Sequence, residues 1–430
     1  MLQMLRDDIR AELEQIPVID VHSHLGRDQL VARNLSEIVL YHMVRYPLRA
    51  AGVSEGKLWP GRDFHALADE MDEQVFEKMS AMQNTSFAWA LRQILRDLYD
   101  FDEPITAQSL EKLQAAFEER TSRDGWGRQV LREANIERIL SSRYQVPPLA
   151  DGQEDPGIRF TIETAPTAGW REYMTWADRL ERIEQRTGRQ VRSADELREM
   201  TRDYYDRLDW SDKHGLVAWI SSDCDFRPAN DREIDRILKD VGEKKKISPA
   251  DRSLLEAALV RSMLDAIRGK TRVWQVVYGT HFLTPGRPHP VAKAPRTFVH
   301  TLGYLIGEYP DIHFDMLSGY EPDEPVLCSL TLGYSNVSLS SFWWNNFYPD
   351  VMHRALSRRL DMVPASRLCG FFSDGYCVDW IYGRLQMTRR VLANVLAEKV
   401  DQGFYSVDQA IGVARALLHD TPRELFDISD

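Results

Sequence analysis

Eight short runs rich in β-branched and aromatic residues recur along this chain, and stretches of helical periodicity fall between most of them. The runs are "PVIDVH" (17–22), "IERILSS" (136–142), "IRFTIE" (158–163), "LVAWISS" (216–222), "VWQVVYG" (273–279), "IHFDML" (312–317), "NVSLSSFW" (336–343) and "LCGFFSD" (368–374). Most end in polar residues, as strands feeding loops do. Several are apolar on both faces, the pattern of parallel strands covered by helices. Helical stretches such as "SADELREMTRDYYDRL" (193–208) and "TRRVLANVLAEKVDQG" (388–403) supply the cover. Eight strand–helix units in succession predict an α/β fold of the (β/α)8 TIM-barrel type, with residues 1–430 as a single barrel domain. A chain of 430 residues is long enough for such a core.

One interval is too long for a single barrel helix. Residues 27 to about 130 separate the first two runs and contain "FHALADEMDEQVFEKMSAM" and "FAWALRQILRDLYDF", both helical in pattern. We expect a helical insertion, 27–130, that covers the barrel mouth. The charged stretch "DVGEKKKISPADRS" (240–253) is expected to form an exposed turn between helices.

Composition narrows the function. Lys and Arg total 54 against 66 for Asp and Glu, and the net charge of −12 argues against a nucleic-acid partner. A small acidic substrate is compatible with that charge, because a pocket concentrates its own Arg and His. The four cysteines (Cys224, Cys328, Cys369, Cys377) have no close pairing spacing, which predicts reduced thiols and a cytoplasmic location. The N-terminus is amphipathic and carries acids, unlike a signal peptide. No uncharged apolar run of about 18 residues occurs, so no membrane span is expected.

The segment "VIDVHSHLG" (18–26) sets His22 and His24 one residue apart at the end of the first run. Alternate strand residues point the same way, so an H-x-H pair directs both imidazoles into a barrel. In a closed barrel the first and last strands are neighbours, and "FFSDG" puts Asp374 at the matching end of the last one. Active sites of these barrels lie on that face. Two imidazoles and a carboxylate then converge, a set suited to one divalent ion per chain, Zn²⁺ first, with Mn²⁺ and Fe²⁺ as alternatives.

At these residues the chain resembles a known family. "IDVHSHL" and "SDG" resemble the amidohydrolase superfamily, and further stretches resemble its uronate isomerases. These are "YHMVRYPLRAAGV" (41–53), "NIERILSS" (135–142), "KHGL" (213–216), "NVSLSSFWWNN" (336–346) and "IYGRLQMTRRVLANVLAEKVDQGFY" (381–405). The resemblance implies a divalent-metal barrel enzyme that interconverts aldo- and keto-hexuronates. Three positions depart from the family pattern. Tyr376 stands where the family has an Arg two residues after the last-strand Asp. "TIETAP" stands where it has Arg-Pro-Asp, and Val277 where it has a fifth-strand His.

His281 keeps the parity of Val277 and is a further metal-ligand candidate, against the alternative of a loop histidine bonded to backbone. Arg384 and Arg49 match family arginines, and either would hold a substrate carboxylate bidentately. Arg143 and His42 are further substrate-binding candidates. Trp343 and Trp344 are expected as pocket walls, and as strand neighbours only one of them should face inward. Asp374 is the expected general base as well as a ligand. The expected reaction is isomerisation of a sugar acid by a homo-oligomer. Metal-dependent hydrolysis of a lactone, ester or amide is the alternative, and binding without turnover is a third class.

Overall fold

A computed structural model of the chain describes residues 2–26, 29–59, 73–142, 158–163, 175–211, 213–282, 290–292 and 298–428. Strands form at all eight runs: β1 (Val18–Ser23), β2 (Ile136–Ser141), β3 (Ile158–Glu163), β4 (Lys213–Trp219), β5 (Val273–Tyr278), β6 (His313–Ser318), β7 (Val337–Ser340) and β8 (Leu368–Cys369). The chain divides into two compact units. The first comprises Met1–Ile158, Asn345–Ser357 and Gly370–Asp420, and the second Arg159–Trp344, Arg358–Cys369 and Thr421–Asp430.

In the first unit β1 and β2 pair in parallel, with Val18 beside Ile136 and Ser23 beside Ser141. All six residues of β1 are buried, as expected for a strand covered on both faces. Its other edge is occupied too. The Asp374 amide donates to the His22 carbonyl at 2.9 Å and the His24 amide to the Gly375 carbonyl at 2.8 Å. β1 thus has a hydrogen-bonded neighbour on each side.

The long interval after β1 is mostly helical where it is described. It includes α2 (His42–Ala50) and α3 (Ser86–Tyr99), after a short N-terminal helix α1 (Leu2–Gln15). Thr85 caps α3, its hydroxyl accepting the Ala88 amide at 3.2 Å. Near its C-terminal end α3 lies against a 24-residue helix, α4 (Val378–Asp401). Gly383 permits the close approach, since a Cβ there would sit 2.7 Å from Ile94 Cδ1. The Tyr99 hydroxyl adds a 2.6 Å bond to Asp379 in the first turn of α4. The helix following β1 and the helix following β8 are thereby tied together.

In the second unit β3 to β8 pair in parallel, each with the next in chain order. Asp315 of β6 is fully buried and accepts bonds from Ser338, Ser340 and Gln275 on the flanking strands. Helices Trp176–Thr187, Ala194–Asp206, Asp231–Gly242 and Pro249–Ile267 share an apolar core that includes Trp176, Leu197, Ile237 and Leu259. Thr175 and Asn230 close capping boxes at two of their N-termini. The turn between the last two is largely exposed, as expected.

Two differences from expectation have local causes. β8 is only two residues long, because from Gly370 the main chain bonds elsewhere, its amide donating to the Leu417 carbonyl at 2.8 Å. An antiparallel hairpin of Thr280–Phe282 and Pro290–Ala292 follows β5. Gly279, at a φ of 92°, makes the break between them. No helix among the described residues is long and apolar enough to cross a membrane.

Candidate metal centre

His22 closes β1 one residue before its end, and His24 lies just past it. Their rings are 5.2 Å apart at 87°. Asp374 Oδ1 lies 3.0 Å from His24 Nε2 and 3.7 Å from His22 Nε2. One ligand atom from each residue falls within 4.8 Å of the other two, and among the described residues no other His, Cys, Asp or Glu group does this. His22 is sealed from solvent, while His24 and Asp374 keep about an eighth of their side chains open, at 15% and 13%.

Hydrogen bonds decide which imidazole nitrogen is available on His24. Ser142 Oγ donates its single proton to the Ser23 carbonyl at 3.1 Å, so it accepts from His24 Nδ1, also at 3.1 Å. Nε2 is then the nitrogen that faces Asp374 and the one a metal would take. The donor set of two imidazole nitrogens and one carboxylate suits a divalent transition metal.

Asp374 itself sits in the left-handed region at a φ of 53°. Its carbonyl accepts the Tyr41 hydroxyl at 3.0 Å. Arg384 of α4 approaches its other carboxylate oxygen, Oδ2, at 3.8 Å. Burial pushes the Asp374 carboxyl up, but the bond to His24 and the charges of His24, Arg384 and His22 outweigh it and hold it well below the usual carboxylate range. Arg384 is almost wholly buried, lies 4.2 Å from the Phe347 ring centre, and reaches the Tyr41 hydroxyl at 3.5 Å. Burial pushes the Tyr41 phenol up, so it stays a neutral donor.

Aromatic rings line one side. Tyr376 stacks on His24 at 4.9 Å and 20° and meets His42 edge-on at 5.3 Å. His42 lies against Tyr41 at 4.2 Å, and Tyr41 stacks on Trp380 at 4.5 Å. The stretch after β1 therefore brings Tyr41 to Asp374 and His42 to Tyr376.

The remaining sequence candidates fall elsewhere or take other roles. Arg384 faces Asp374 from a sealed position. Arg49 ends α2 and pairs with Glu55 at 2.9 Å. Arg143 lies outside the described residues. His281 sits in the hairpin, where its Nε2 is 2.7 Å from Ser222 Oγ and accepts the Ser222 amide at 3.3 Å. Trp343 and Trp344 lie beyond β7, not on it, and Trp344 has a φ of 59°, so strand alternation does not govern them. Trp343 is buried against Gly319, and the two indoles meet at 5.9 Å and 63°. Three contributors carried little sequence signal of their own. Asp20 shares the parity of His22, Tyr41 is the neighbour of His42, and Ser142 had no signal at all.

No family model matches the chain. A uronate isomerase from Thermotoga maritima is 26% identical over 126 residues, which is 29% of this chain and 28% of that protein. The chain thus spans under a third of that relative's length in sequence. In structure the likeness runs end to end. A crystal structure of uronate isomerase from Thermotoga maritima superposes with a TM-score of 0.84 at 16% identity, covering 98% of this chain and 97% of that one. The fold is that of the uronate isomerases. Glucuronate isomerase from Caulobacter crescentus gives the same TM-score, 0.84, over 100% of this chain and 95% of its own, again at 16% identity. Uronate isomerase from Bacillus halodurans gives 0.74 at 14% identity, covering 100% and 98%. The uronate isomerase fold is a (β/α)8 barrel.

Proposed function

We propose that the chain is a divalent-metal-dependent isomerase of a sugar acid, interconverting its aldose and ketose forms. The observation that carries this is the convergence of His22, His24 and Asp374 within 4.8 Å, in a fold shared with uronate isomerases. These three residues would hold one ion per chain, Zn²⁺ first. Bound there, the ion would polarise a substrate carbonyl and acidify the neighbouring hydroxyl. Ser142 fixes the His24 tautomer. Arg384 and Tyr41 orient the Asp374 carboxylate and its backbone. Asp374 relays the proton that moves between adjacent substrate carbons. His42 and Tyr376 line the approach, and α2 and α3 belong to a 27–130 insertion that covers the mouth of a single barrel domain. A cytoplasmic homo-oligomer is part of the same proposal.

Tyr376 shapes the substrate. An aromatic ring in place of an arginine removes a charge-assisted contact of roughly 1.5–3 kcal/mol. That corresponds to about ten- to a hundredfold in binding a hexuronate. Weak turnover of glucuronate is expected, with better turnover of a sugar acid of another length or stereochemistry. Incubating the protein with a panel of sugar acids in deuterated water tests this. Isomerisation by proton transfer puts deuterium on the carbon beside the carbonyl. Cleavage of a lactone or ester, with no sugar acid isomerised, would decide for the hydrolase.

A further inference from the structure

Asp20 touches none of the three ligand side chains through its described hydrogen bonds, yet it joins the two segments that bear them. Its carboxylate is fully buried in β1. Oδ1 accepts the His22 amide at 3.3 Å and the Ser373 amide at 2.8 Å. Oδ2 accepts the Ser373 hydroxyl at 2.5 Å. The same hydroxyl accepts the Gly375 amide at 3.0 Å. One carboxylate and one hydroxyl therefore fix the main chain on both sides of Asp374.

That turn requires holding. Asp374 is a non-glycine residue at a φ of 53°, a conformation that persists only where its surroundings over-determine it. Ser373 and Gly375 flank it, and both are tied by this network. The turn is also tightly packed, since a Cβ on Gly375 would sit 2.6 Å from Ile381 Cγ1. On the other side, the Asp20 bond to the His22 amide fixes the strand end from which both imidazoles project. The two segments are then laced directly by the bonds from Asp374 to His22 and from His24 to Gly375.

We propose that Asp20, through Ser373, is the positioning residue that sets Asp374 at ligand distance from His22 and His24. The proposal rests on the metal site described above. It also accounts for an acid two residues before the histidine pair, on the same face of the strand. An apolar residue would pack there equally well if the site needed only burial. An acceptor-only group is what three converging donors call for.

The test is titration of the metal-free full-length protein with Co²⁺, whose visible absorption reports ligand geometry. The parent is compared with Asp20→Asn and Ser373→Ala. Thermal midpoints of the metal-free forms are recorded beside the titrations. Residues that hold metal ligands in place typically contribute about 10–100-fold to metal affinity. Co²⁺ binding is therefore expected to weaken by that factor in each variant, with a changed absorption band, while the metal-free midpoints stay close to the parent. Parent-like affinity and spectrum in Asp20→Asn, whatever its midpoint, would overturn the positioning role. If that variant does not fold, Ser373→Ala carries the same comparison. A parent that takes up no Co²⁺ would instead remove the metal site, and this inference with it.

Discussion

Replacing Arg359 with Met should destabilise the protein by about 3–5 kcal/mol, the cost of stranding a buried charge. Arg359 Nε and Nη2 bind the two carboxylate oxygens of Glu324 at 2.9 and 2.6 Å. The side chains are only 2% and 4% exposed, so the range of about 0–1 kcal/mol for surface pairs does not apply. Nη1 adds a 2.8 Å bond to the Ser341 carbonyl, and the guanidinium lies 4.5 Å from the Phe342 ring centre. The pair thus braces the loop that leads from β7 to Trp343 and Trp344. Urea unfolding followed by circular dichroism measures the loss. The double variant Glu324→Gln/Arg359→Met should be more stable than Arg359→Met alone, because the stranded carboxylate is gone. A loss below about 1 kcal/mol in the single variant, or a double variant as weak as the sum of both singles, would refute the reasoning.

Two further outcomes are expected. Ser142→Ala frees the His24 ring to turn and should weaken divalent-metal affinity by about 10–100-fold in a chelator competition, whereas unchanged affinity would mean the Nδ1 bond is dispensable. Burial and the nearby Glu324 charge raise the Asp323 carboxyl from 3.8 to about 6, against its bond to Tyr278 and the His300 charge. A raised carboxyl favours folding fully below the unfolded value and loses that contribution as pH rises through the folded one. The parent should therefore lose stability from this group between pH about 4 and about 6. Asp323→Asn should flatten that slope in urea midpoints measured across the window, and an identical slope would contradict it.

The barrel was legible because parallel strands buried on both faces leave continuous apolar runs, and all eight runs form strands. The convergence of His22, His24 and Asp374 was legible for a related reason. H-x-H at a strand end and an Asp at the end of the last strand are fixed by the periodicity of strands and the closure of a ring. What supports the triad left no such trace. Ser142 and Ser373 are ordinary serines at the ends of strand runs in sequence, and their value lies in which carbonyl or carboxylate folding brings to them. Arg384 reads in sequence as a holder of a substrate carboxylate, whereas burial of α4 on most sides and the 3.8 Å approach to Asp374 come from the fold. Counting alternation does not reach Trp343 and Trp344, because the chain leaves β7 before them.

Elemental analysis of the purified parent, His22→Ala and His24→Ala tests the metal site most directly. Three converging ligands predict about one divalent transition-metal ion per chain in the parent and its loss from both variants. Metal content that is the same in all three proteins would contradict it.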